Sequence, residues 1–276
     1  KWAAPQFLEA DGKIIRIMAG PNGSIQGPCE AKWGYTTLSV ADWDGDGLPD
    51  IVANSIWGKV HWYRNVGTRG KPQLTAAQPI EVEWDGSQPT LAYGWLRPKG
   101  KALLTQWRTT PVAVDWNKDG LVDLVMLDQE GYLALFERAR RGNGLVLRPP
   151  TRVFHGENFS VTDSRHKVFD RAAGAIRLNN DLAGRSGRRK LCVTDWDGDG
   201  RLDILANSAN ANFLRQTDAR DGTFFFRDEG TLAAQNIEGH DVSPTTVDFN
   251  DDDVPDFLGG AEDGRFYYLR NPRSKK

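Results

Sequence analysis

The chain has 276 residues, 39% of them hydrophobic and 26% charged, with a formal net charge of −2. That balance excludes a disordered chain and gives no electrostatic reason to expect nucleic acid or an anionic membrane as partner. No apolar run approaches the length of a membrane-spanning helix, and the first residues do not read as a signal peptide. The two cysteines, Cys29 and Cys192, form neither a metal motif nor a disulfide framework.

In chain order, the first β signal is the run at 5–18, "PQFLEADGKIIRIM". It reads as a strand or hairpin without a following unit. An irregular insert follows at 21–35, "PNGSIQGPCEAKWGY". Then come a short strand, "TTLSVA", the acidic loop "DWDGDGLPD" (42–50), and the strands "IVANS", "KVHWYRN" and "QPIEVEW". A second insert spans 84–109. The pattern then returns: "TPVAV", the loop "DWNKDGLVD" (115–123), "LVMLD", "YLALFER" and "LVLRPPTRVF". A third insert spans 155–189. After it come "KLCVT", the loop "DWDGDGRLD" (195–203), "ILANS", "NFLRQ" and "TFFFRDE". The last unit is "PTTV", "DFNDDDVPD" (248–256), "FLGGA" and "RFYYLRN", without a fourth strand.

Runs rich in Val, Ile, Leu and aromatics, bounded by Gly, Asn and Asp, are strands. Four antiparallel strands per unit, repeated, predict an all-β chain: one β-propeller domain over residues 1–276 with at least four four-stranded blades. Either the N-terminal run completes the last blade and closes the ring, or the chain is the C-terminal part of a larger propeller, for example of about seven blades. A β-sandwich of similar strand count would not place an acidic loop at the same point of each unit.

Oxygen-bearing side chains occupy positions 1, 3, 5 and 9 of every loop: Asp42, Asp44, Asp46 and Asp50; Asp115, Asn117, Asp119 and Asp123; Asp195, Asp197, Asp199 and Asp203; Asp248, Asn250, Asp252 and Asp256. Hard oxygen donors in a flexible loop suit Ca²⁺, and the backbone carbonyl at position 7 (Leu48, Leu121, Arg201 or Val254) would complete each set. Position 6 needs a sharp turn, which explains Gly47, Gly120 and Gly200; Asp253 stands there in the fourth loop. An EF-hand would carry Glu at position 12, and none of the loops does. The expectation is up to four structural calcium ions. Trp43, Trp116, Trp196 and Phe249, all at position 2, are expected to pack.

The pattern strand, D-x-[DN]-x-D-G-x-x-D, strand resembles the FG-GAP/VCBS repeat family over most of the chain, and "FLGGAEDGRFYYLRN" (Phe257–Asn271) looks most like its consensus. The resemblance implies β-propellers with calcium held between the first two strands of each blade.

Because antiparallel strands alternate their loops between two rims, the inserts gather opposite the acidic loops, and long inserts in compact domains carry function. They supply Glu30, Trp33, Tyr35, Tyr93, Trp107, Arg108, His155, His166, Arg177 and Asn179; short turns add Asn54, Trp57, Lys59 and Asn207. Aromatic rings beside cations suit a polysaccharide. The stretch "EAKWGYTTLSVADWDGDGLPDIVANSIWGKVHWYRN" looks like secreted propeller-type polysaccharide lyases acting on ulvan-like and other rhamnose- and uronate-containing glycans. That resemblance implies β-elimination, which needs a base, a cation for the uronate carboxylate and an acid for the leaving oxygen. His166 or His155, Arg108 or Arg177, and Tyr35 or Tyr93 are the candidates. Glu30, Trp33, Asn54, Trp57, Lys59, Trp107, Asn179 and Asn207 would bind substrate. His61, in an alternating strand, reads as structural. The alternative is a non-catalytic, calcium-dependent lectin or adhesion propeller. Either would be a secreted monomer, extracellular or periplasmic.

Overall fold

The computed structural model describes residues 4–90, 96–157, 168–169, 174–179, 189–208, 210–237, 242–261 and 263–274. The fold is all-β. A hairpin, β1 (Glu9–Ala10) and β2 (Lys13–Ile14), turns through Asp11 and Gly12, both at positive φ. A single 3-10 turn follows at Pro28–Glu30. The first sheet holds β3 (Leu38–Ala41), β4 (Asp50–Asn54), β5 (Val60–Tyr63) and β6 (Gln78–Pro79), in that order. The second holds β7 (Val112–Val114), β8 (Asp123–Leu127) and β9 (Leu133–Phe136). A separate hairpin, β10 (Arg138–Arg141) and β11 (Gly144–Leu147), leads to β12 (Phe154–Gly156) and to the small pair β13 (Val168–Phe169) and β14 (Ile176–Arg177). The third sheet runs β15 (Leu191–Thr194), β16 (Asp203–Asn207), β17 (Ala211–Arg220) and β18 (Thr223–Thr231), with β12 added parallel to β18. The fourth is β19 (Ser243–Val247), β20 (Asp256–Gly260) and β21 (Phe266–Leu269).

Each sheet begins with the strand before an acidic loop. Those first strands stand side by side: β3 beside β7, β7 beside β15, β15 beside β19. The sheets therefore form a row. Among the described residues no sheet closes on itself.

The seams between sheets are the core, and strand alternation feeds two of them at once. On β8, Leu124 and Met126 enter the seam with the first sheet, while Val125 and Leu127 enter the seam with the third. On β16, Ile204 and Ala206 face the second sheet and Leu205 faces the fourth. The position-2 tryptophans plug successive seams. Trp43 packs among Leu124, Met126 and Phe136. Trp116 meets Phe154 edge-on, with ring centroids 4.9 Å apart, and Trp196 packs against Val242 and Phe257.

Phe249, at the same position in the fourth loop, departs from the expected packing. It is 63% exposed, because no sheet stands beyond it. Val247, Phe266 (91% exposed) and Tyr268 share its exposure, as do Leu38 and Val40 on the first sheet. The row thus ends in apolar surface on both sides.

Three strand expectations need correction. "QPIEVEW" pairs with β5 at Gln78 and Pro79 and through the Ile80 N–H to the Val60 carbonyl, and then turns to pair with the segment at 101–103. "LVLRPPTRVF" does not form one fourth strand: β11 pairs with β10, a single bridge joins Thr151 to Leu135, and β12 crosses to the third sheet. Pro149 and Pro150 lie at that break, and proline donates nothing to a ladder. The N-terminal hairpin does not reach the last sheet. Ala10 bridges Leu74, and Ile15 and Ile17 pack against Ala53 and Tyr63 of the first sheet.

Truncating a buried aromatic costs roughly 3–5 kcal/mol, whereas exposed substitutions stay within about 0.5 kcal/mol. Urea unfolding of Trp116→Ala should therefore show a loss in the first range and Phe249→Ala in the second, although the two residues occupy the same repeat position.

Candidate functional site

The four acidic loops share one backbone. Position 6 is left-handed in all: φ is 86° at Gly47, 85° at Gly120, 86° at Gly200 and 63° at Asp253. Position 4 is left-handed as well, at Gly45, Lys118, Gly198 and Asp251. The turns aim amides inward. The position-1 carboxylate accepts from the position-6 N–H in each loop, at 2.9 Å for Asp42 and Asp115, 3.0 Å for Asp195 and 2.8 Å for Asp248. The position-5 carboxylate accepts from the position-7 N–H of Leu48, Leu121, Arg201 and Val254.

Position 9 is the anchor. Asp50, Asp123, Asp203 and Asp256 are fully buried. One oxygen accepts from a backbone N–H two residues beyond the third strand in three sheets, Asn65 at 2.6 Å, Arg138 at 2.8 Å and Asn271 at 2.8 Å, and from Gln216 at 2.8 Å within the longer β17, beside its irregularity in register. In the first three loops the other oxygen accepts from the tryptophan N–H at position 2. Burial pushes the Asp123 and Asp203 carboxyls up to about 6.

The donors fit a hard divalent cation. Carboxylate oxygens of Asp42, Asp44 and Asp50 lie within 4.8 Å of one another, as do those of Asp195, Asp197 and Asp203. Asn117 and Asn250 take the matching place in the other two loops. An arginine leans on three of the four: Arg64 on Asp44 at 2.6 Å, Arg215 on Asp197 at 4.0 Å and Arg270 on Asp252 at 3.9 Å. The second loop has Glu137 there instead, 3.5 Å from Asn117 Nδ2. Every loop therefore offers oxygen donors that repel one another and are only partly balanced by protein cations.

The inserts build a second constellation. Arg108 is 1% exposed and pairs with the equally buried Glu30 at 2.5 Å. Its guanidinium carbon lies 3.5 Å from the Tyr35 ring centroid and 3.9 Å from that of Trp107. Ser24 donates to the other Glu30 oxygen. Arg108 and Tyr35 both have positive φ, 60° and 46°, a strained conformation for bulky residues. Trp33 meets Tyr35 edge-on at 5.6 Å and is 47% exposed. The structure thus joins Glu30, Trp33, Tyr35, Trp107 and Arg108.

Beside them runs a buried amide chain. Asn179 donates to Gln106 at 2.7 Å, and Gln129 donates to the Leu104 carbonyl at 3.2 Å. Arg177 bridges Tyr132 and donates to the Glu130 carbonyl at 2.9 Å. A cluster that sequence reasoning missed sits here. Arg152 stacks on Tyr132 at 3.8 Å and pairs with Asp128 at 2.7 Å and with Glu130. Burial raises the Asp128 carboxyl despite Arg152. Only the turn sequence "LDQEGYL" hinted at it.

The remaining candidates lie apart from these clusters or hold the backbone. Asn54 accepts from the Thr37 N–H at 2.6 Å and donates to the Tyr35 and Thr109 carbonyls. Asn207 accepts the Lys190 N–H at 3.0 Å, the same latch in the third sheet. Trp57 donates to the Ala19 carbonyl at 2.9 Å. His155 lies on β12, the outermost strand of its sheet, while Arg108 precedes a first strand. Lys59 opens β5, beside the segment at Leu104. Tyr93 and His166 lie outside the described residues.

No family model matches the chain, and no curated protein matches it. Among solved structures it is similar to a lectin from Agrocybe aegerita, described as specifically recognising non-reducing terminal N-acetylglucosamine. The two are 19% identical with a TM-score of 0.43, and the alignment covers 87% of this chain and 50% of the lectin. The chain spans half the length of that lectin, and a likeness this distant transfers no function.

Asp123 and Asp203 hold a proton more tightly folded than unfolded. Their contribution is greatest below the ordinary carboxylate pKa and is lost as pH rises through about 6. With chelator present, the urea midpoint should fall between pH 4 and pH 7, and Asp123→Asn should flatten that fall.

Proposed function

We propose that the protein binds an acidic polysaccharide on the rim formed by its inserts, and that calcium in the four loops braces the scaffold beneath. The observation that carries this reading is the half-exposed Trp33 ring, set against Tyr35 over the buried Arg108–Glu30 pair. Sugar rings offer apolar C–H faces to an aromatic platform, and polar groups fixed beside it select among them. A buried ion pair holds the platform rigid, and removing one partner of such a pair costs about 3–5 kcal/mol.

Calcium in this proposal is structural. Positions 1, 3, 5 and 9 and the position-7 carbonyl are all protein donors, so little of the coordination sphere is left for a substrate. The sheets are proposed to be an arc of a β-propeller. Their order, their equivalent seams and the uncovered apolar faces at both ends support this, since those faces match the surfaces buried between neighbouring sheets. An extracellular or periplasmic setting, where calcium is abundant, fits the loops, and the proposed state in solution is a monomer.

A polysaccharide lyase is the second reading, favoured by one observation. Tyr35 and Arg108, an acid and a carboxylate neutraliser, are in contact and both strained. Elimination from a rhamnose-linked uronate would require the substrate carboxylate to displace Glu30 from Arg108. His166 or His155 would then serve as base.

Titration with a rhamnose–glucuronate glycan should show Trp33→Ala binding at least about tenfold more weakly, a loss of about 1.4 kcal/mol, with an unchanged melting temperature. Equal affinity would overturn the proposed rim. Ultraviolet absorbance should stay flat during the incubation. A rise that Tyr35→Phe abolishes would establish the lyase instead.

A further inference from the structure

A pocket of about 350 Å³ opens between β5 and the segment 96–104. Lys59 and His61 line one side, Arg97 and Lys99 the other. Its walls are apolar, among them Val60, Leu96, Pro98 and Leu103. Among the described residues no carboxylate lines it, and Lys59, Arg97 and Lys99 have no ion-pair partner. The Nδ1 atom of His61 is buried without a hydrogen-bond partner. Burial, and then Lys59, holds the imidazole below its ordinary pKa.

Lys59, Arg97 and Lys99 are exposed at its mouth, and three cations around one opening repel one another, a repulsion that an anion placed among them relieves. A buried ring nitrogen without a hydrogen-bond partner is an unmet polar group, which a ligand oxygen would satisfy. The walls also limit what the anion can be. Among the described residues no Phe, Tyr or Trp lines the cavity, and no Asn, Gln, Asp or Glu lines it to pair sugar hydroxyls. The volume falls at the small end of ligand pockets.

We propose that this pocket binds a small organic carboxylate with an apolar body, such as an aryl carboxylate, at a site distinct from the Trp33–Tyr35 platform. The carboxylate lies among Lys59, Arg97 and Lys99, His61 donates a ring N–H to it, and the apolar body rests against Val60 and Leu103. The proposal does not depend on the glycan reading: Arg97 and Lys99 lie in the second insert, but that reading is carried by Trp33, Tyr35, Arg108 and Glu30, none of which lines this pocket.

Calorimetric titration of the whole chain with benzoate, benzamide and glucuronate tests it. Benzoate should bind and the neutral, isosteric benzamide should not. Arg97→Ala should weaken benzoate at least about tenfold, as expected for the loss of one charge-assisted hydrogen bond, while glycan binding and the melting temperature stay unchanged. Should that variant not fold, benzoate binding to the unmodified chain must still weaken with added salt. Equal binding of benzoate and benzamide, or an Arg97→Ala variant with full benzoate affinity, would overturn the proposal. So would binding of glucuronate in place of benzoate, which would place the pocket within the glycan site.

Discussion

A buried carboxylate organises this protein. At position 9 of each acidic loop an aspartate sits out of water and holds the backbone of the third strand of its sheet or the residue two beyond it. In three loops it also holds the position-2 tryptophan amide. Position 9 is itself the first residue of the second strand. One side chain therefore ties the first turn, the second strand and the third strand together. The same contact sets the direction in which the aromatic ring at position 2 projects, and that ring fills the seam with the next sheet. Loop chemistry and sheet stacking are thus one constraint, expressed four times.

The constraint is electrically expensive. Positions 1, 3 and 5 bring further carboxylates towards the buried one, and the amides turned inward at positions 4 to 7 offset only part of the repulsion. Arginines on or just after three of the third strands offset more, but they are partly exposed and water screens such pairs. Neighbouring loops are linked as well: Lys118 donates to the Gly200 carbonyl at 3.1 Å, and Asn271 to the Trp196 carbonyl at 3.0 Å. Across the first seam Arg138 stacks on Trp43 at 3.8 Å and donates to its carbonyl. A row of acidic loops along one rim leaves the other free for inserts that differ from sheet to sheet, and that is where Trp33, Tyr35 and Arg108 meet.

Much of this was legible because it repeats. The loops, their donors, the left-handed turn at position 6 and the three inner strands of each unit follow from local pattern and the physics of glycine. The left-handed turn at position 4 was hidden where Lys118 and Asp251 stand in place of glycine. The crossing of β12 into the third sheet was hidden because strand periodicity says nothing about which sheet receives a strand. The insert rim was read as a set of residues, but their pairing was not. Glu30 and Arg108 are 78 positions apart, and nothing local announces that they neutralise each other. Asp128, Glu130, Tyr132 and Arg152 were overlooked for the same reason. The histidine taken as structural, His61, turned out to face a cavity, because alternation reports the side of a strand and not what lies opposite it.

Carboxylate oxygens converge in the first and third loops, and the second and fourth repeat the donor pattern with Asn at position 3; such loops make sense if a divalent cation sits in each. Equilibrium binding of radioactive calcium to the chelator-treated chain counts those ions directly. The account predicts saturable binding approaching four ions per chain, with one lost when Asp195 and Asp203 are both replaced by asparagine. A chain that binds no calcium at millimolar concentration while remaining folded would contradict it.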